Sequence, residues 1–112
     1  MSAVLPMICV QRALPAVHPS FAGHFPGQPL LPGVVLLAEV LEAALADTTL
    51  AAMLGPAPTL ASAKFLAPVS PEGDAPIVLT IEFHVLANGL RFEVQRGATA
   101  VARGQFSTKA GG

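Results

Sequence analysis

Five prolines (Pro15, Pro19, Pro26, Pro29 and Pro32) fall between positions 15 and 32 and lead directly into the apolar run Gly33-Val34-Val35-Leu36-Leu37. Proline fixes φ and removes a backbone donor, so this stretch can be neither a helix nor a central strand. It must be a stiff loop from Ala16 to Pro32, one that loses little entropy on folding and can hold a side chain in a fixed place. Pro32 suits the first turn of a helix, where its missing N–H is not needed. From Gly33 to Asp47 the chain is apolar almost all round, with Glu39 and Glu42 the only charges before Asp47. A helix of that kind is expected to be wrapped by the rest of the protein.

The rest of the chain reads as strands. Met7 to Leu14 lies between Pro6 and Pro15 and is expected to be the first, with Cys9 as a small buried hydrophobe. Thr48 to Thr59 is expected to be a loop with a helical turn at Leu50 to Leu54, and Leu60 to Val69 a second strand. Ile77 to Leu86 alternates, with Ile77, Leu79, Ile81, Phe83 and Val85 on one face and Thr80, Glu82 and His84 on the other. Asn88-Gly89 is a hairpin signal. Leu90, Phe92 and Val94 then face inward and Arg91, Glu93 and Gln95 outward, and Thr99 to Ser107 is the last strand. One buried helix followed by an antiparallel meander is an α+β arrangement, and 112 residues suffice for one domain.

Composition narrows the function. Hydrophobic residues make up 53% and charged residues 12%, so an oligomer interface is expected to cover part of the apolar surface. A net charge of -1 and the absence of Trp and Tyr speak against nucleic acid. The longest apolar run is too short to insert into a membrane. A single cysteine allows no intrachain disulfide, and with no secretory signal a cytoplasmic location is expected. Three histidines without Cys or Asp at ligand spacing predict no metal site.

His24 is the residue with chemical promise. Gly23 and the Pro26-Gly27 turn flank it, just ahead of the helix start, where an imidazole can be oriented and partly desolvated to take a proton near neutrality. The N–H groups of Gly33 and Val34 have no intrahelical partner and carry the positive end of the helix dipole. A base beside such donors suits proton abstraction next to a carbonyl. His18 reads as structural, and His84 as solvated or interfacial.

The stretch Gly23-His24-Phe25-Pro26-Gly27-Gln28-Pro29-Leu30-Leu31-Pro32-Gly33-Val34 resembles the signature of the hotdog-fold (3R)-hydroxyacyl-acyl-carrier-protein dehydratases. Ala63-Lys64-Phe65-Leu66-Ala67-Pro68-Val69 and the Pro71-Glu72-Gly73-Asp74 turn are similar too. More weakly, the chain resembles dehydratase-like proteins of aryl-polyene-type lipid pathways. The resemblance implies a sheet of five or six strands wrapped around one central helix. It implies loss of water from a 3-hydroxyacyl thioester, carried by acyl carrier protein or coenzyme A, to give the 2-enoyl thioester without a cofactor. His24 would be the base and Gly33 the oxyanion donor, with Val34, Phe25 and Pro32 against the substrate. The family's acid position falls on Ala38, which cannot donate a proton.

Two carboxylates lie nearby. Glu39 is the next residue, turned about 100° around the helix, while Glu42 is only about 40° away but ~6 Å further along. Glu39 is slightly preferred as the acid, and a carboxylate buried there should have a partner. The family's sites form between subunits, so a homodimer or larger oligomer is implied, or a heteromer whose second hotdog chain supplies the acid. A non-catalytic acyl-binding subunit and a hotdog thioesterase are the alternatives. Lys64, Arg91, Arg96 and Arg103 are candidates for a basic rim that meets an acidic carrier.

Overall fold

The computed structural model describes residues 7–15, 31–73 and 75–107. The Pro/Gly loop, with His18, His24 and Phe25, lies almost wholly outside these residues. Among the described residues there are five strands and two helices: β1 (Met7–Leu14), α1 (Gly33–Leu45), α2 (Thr48–Leu54), β2 (Thr59–Phe65), β3 (Ile77–Leu86), β4 (Gly89–Arg96) and β5 (Thr99–Ser107). The sheet runs β1-β3-β4-β5-β2, every neighbouring pair antiparallel. The chain therefore leaves one edge after β1, crosses the sheet through the helices, and starts again at the other edge with β2.

Period-two alternation sets the inner face. Ile77, Leu79, Ile81 and Phe83 of β3 and Leu90, Phe92 and Val94 of β4 are fully buried. Leu36, Val40, Ala43 and Ala44 of α1 belong to the same core, and the Phe92 and Phe106 rings lie 5.4 Å apart. Each large apolar side chain so buried contributes roughly 1.5–3 kcal/mol.

Several expectations need correction. Cys9 is exposed, not buried, because β1 alternates and Cys9 shares the outer face with Met7, Gln11 and Ala13. The first helix stops at Leu45; Asp47 caps a second helix, its Oδ1 accepting the Leu50 N–H at 2.9 Å. Strand β2 ends at Phe65, after which Leu66 and Ala67 both donate to the Val101 carbonyl. The hairpin loop is Ala87-Asn88, since Leu86 pairs with Gly89. Gly89 is needed for space: a Cβ there would sit 2.8 Å from the Phe106 carbonyl oxygen.

The helix is also less enclosed than expected. Val34, Ala38, Glu42 and Leu45 form one exposed stripe, and Val34 is 74% exposed. All seven residues of edge strand β2 are exposed as well. No helix among the described residues is long and apolar enough to cross a membrane.

Candidate active site

Pro32 is the N-cap of α1 in extended conformation (φ -61°, ψ 144°) and offers no side-chain cap. Its carbonyl accepts the N–H groups of Val35 (3.0 Å) and Leu36 (3.1 Å). Among the described residues, neither Gly33 nor Val34 gives its N–H to a backbone carbonyl. Two donors at the positive end of the dipole are thus left for another acceptor. The first turn holds no acidic side chain to occupy them.

An apolar groove of about 410 Å³ opens beside this turn, lined chiefly by Leu31, Gly33, Leu36, Phe65, Leu66 and Val69. Its floor is fixed by the Leu31 N–H, which donates to the Val69 carbonyl at 2.8 Å. Phe65 lies directly over Gly33: a Cβ on residue 33 would come 2.7 Å from the Phe65 Cζ. The glycine lets the ring reach the helix start, and the groove beside it can hold an apolar chain.

The two helix carboxylates share one cation. Arg12, on the inner face of β1 with Ile8, Val10 and Leu14, points toward α1. It donates to Glu39 Oε1 from Nε (3.2 Å) and from Nη2 (3.1 Å), and its Nη2 also reaches Glu42 Oε1 at 3.2 Å. The Glu39 side chain is 13% exposed and that of Glu42 63%. Glu39 is therefore turned onto β1, whereas Glu42 lies on the exposed stripe that also carries Ala38. The partner expected for a buried carboxylate is present, and it is Arg12. The sequence reading missed Arg12, although an arginine at an inward position of an alternating strand is itself a signal that a carboxylate faces it. Phe65 has no comparable local signal, because its neighbour Gly33 is distant in the chain.

Of the four candidate rim cations, three come together. Lys64, Arg91 and Arg103 line an outer-face groove of about 320 Å³ with Ser62 and Gln105. Arg96 stands apart and binds the Ser70 carbonyl at 2.6 Å, fastening the turn before β3.

A single long helix lying on an antiparallel sheet, its N-terminus beside an apolar groove, is the hotdog arrangement. The model of the ApeI-like family, described as ApeI dehydratase, matches residues 6–105, and the chain belongs to that family. The 3-hydroxyacyl-acyl-carrier-protein dehydratase FabZ of Chlamydia trachomatis is 34% identical over 113 residues, spanning 89% of this chain and 70% of the relative. Among solved structures, the dehydratase heterocomplex ApeI:P from Xenorhabdus doucetiae superposes with a TM-score of 0.68 at 26% identity. That match covers 90% of this chain and 85% of the other. The fluoroacetyl-CoA thioesterase FlK shares the fold at 13% identity, with a TM-score of 0.57 over 95% of this chain and 85% of its own.

Proposed function

We propose that this chain removes water from a 3-hydroxyacyl thioester to give the trans-2-enoyl thioester, with His24 as the base that takes the α-proton. The Gly33 N–H holds the thioester carbonyl as negative charge develops on its oxygen, and the Val34 N–H adds to the positive potential there. Pro32 fixes the direction of the helix start, and Phe25 borders the substrate beside His24. The observation that carries this reading is the first turn of α1, where among the described residues neither the Gly33 nor the Val34 N–H meets a backbone carbonyl and where Gly33 lines an apolar groove. It supports a site for a carbonyl that bears an acyl chain.

The acid is the distinctive part. Ala38 occupies the family's acid position; of the two nearby carboxylates, Glu42 shares its exposed stripe and takes a single bond from Arg12, while Glu39 is largely buried against β1 and takes two. Glu42 is thus this chain's better proton donor toward the β-hydroxyl, across an interface with a second copy. Exposure of the stripe and of β2 supports such an interface. The acyl group arrives on acyl carrier protein, an acidic partner suited to the groove of Lys64, Arg91 and Arg103, and the reaction runs in the cytoplasm.

A second reading is favoured by Ala38 itself and by the heterocomplex formed by the Xenorhabdus relative: a different hotdog subunit brings the acid. Dehydration assays on the purified chain separate the two. If Glu42 is the acid, Glu42→Gln lowers kcat at least 100-fold with little change in KM. An inactive wild type that gains activity with Ala38→Glu establishes the heteromer instead.

A further inference from the structure

We propose that Glu82, His84 and Glu93 form a divalent-metal site of the zinc type on the outer face of β3 and β4. One donor atom from each side chain lies within 4.8 Å of the other two. His84 Nε2 is 3.4 Å from Glu82 Oε1 and 3.7 Å from Glu93 Oε2. Ligands at about 2.1 Å from a tetrahedral zinc ion stand about 3.4 Å apart. The spacing therefore already suits an ion placed between them. Glu82 and His84 are two apart on one strand, and Glu93 joins them from the next, so sequence spacing alone conceals the set.

The electrostatics point the same way. Glu82 and Glu93 are direct partners in the β3–β4 register. Like charges directly opposite in a ladder repel, and a cation between them relieves the repulsion. Other charged and soft groups face this row from both sides. Arg91 is the cross-strand partner of His84, and its Nε is 3.9 Å from Glu93 Oε2, too far to hold that carboxylate by a hydrogen bond. Arg103 is the β5 neighbour of Glu93, and Cys9 the β1 neighbour of Glu82.

An imidazole with two carboxylates suits zinc better than magnesium or calcium, which demand oxygen ligands. Three protein ligands leave a fourth position for water. The site lies on the opposite side of the sheet from the groove at Gly33, with buried Phe83 and Phe92 between. It clips two central strands together and takes no part in dehydration.

The test is a zinc titration of tag-free, chelator-treated protein by calorimetry, paired with thermal melts. The site predicts one zinc per chain, and a melting temperature raised by roughly 10 °C when free zinc is about a hundredfold above Kd. His84→Ala, and separately the isosteric pair Glu82→Gln with Glu93→Gln, weakens binding at least tenfold while the metal-free melt persists. No binding by the wild type, or binding of unchanged affinity in both variants, overturns the proposal.

Discussion

Gly33→Ala separates what the helix start does for stability from what it does for the reaction. The new Cβ would meet the Phe65 ring at 2.7, 3.0 and 3.1 Å, against 3.4 Å for the closest ordinary contact. The ring must therefore retreat by several tenths of an ångström to regain ordinary contact. It is the far end of a side chain 50% exposed, so it can move, and the cost lies near the low end of about 1–3 kcal/mol for overpacking. Gly33 is not among the residues with positive φ, so alanine fits its backbone. Alanine also recovers about 0.4–1 kcal/mol by restricting the unfolded chain. The two nearly cancel, and Tm should move by less than roughly 5 °C.

Catalysis is far less tolerant. The N–H at residue 33 remains, but a methyl group and a displaced ring now stand in the groove proposed to hold the thioester. A misplacement of about 1 Å can cost 10²-fold, so kcat/KM should fall by about that factor. Adding Phe65→Ala to Gly33→Ala should recover at least tenfold of the loss, because the two residues are in contact and their effects do not add. Melting curves and enoyl-thioester formation for the single and double variants are the measurements. A Gly33→Ala protein with the wild-type rate, or one destabilised by more than about 3 kcal/mol, refutes the reasoning.

Arg12→Ala leaves the largely buried Glu39 without its partner. After discounting for the 30% exposure of the Arg12 side chain, the cost is about 1–2 kcal/mol, read as a Tm lowered by roughly 5–10 °C. Asp47→Ala removes the cap on α2 and should cost about 1 kcal/mol in chemical denaturation, with the dehydration rate unchanged.

The sequence was most informative where one periodicity acts alone. The bounds of β3 and the inward set Leu90, Phe92 and Val94 follow from alternation, and the bounds of β1 from the prolines on either side of it. An apolar run such as Met7 to Leu14 does not by itself say which residues face the core, and Cys9 lies on the outer of its two faces. Gly55, Pro56 and Pro58 mask the second helix in the sequence, and the signal that reveals it is the N-cap Asp47. At the candidate site, the lack of an intrahelical acceptor for the Gly33 and Val34 N–H groups follows from local rules about helix ends. The bond from Arg12 to Glu39 and Glu42 and the approach of Phe65 to Gly33 do not, since each joins residues far apart in the chain. They arise only when the strand at one edge and the strand at the other are folded against the same helix.

The central claim is that this chain carries the base of a thioester dehydratase, and the rate of enoyl-thioester formation in wild type and His24→Ala tests it most directly. With a 3-hydroxyacyl-acyl carrier protein as substrate, alone or with a second hotdog chain added, the wild type should turn over. His24→Ala should lose at least 10²-fold in kcat while its melting curve stays in place. A His24→Ala protein that dehydrates at the wild-type rate would contradict the account.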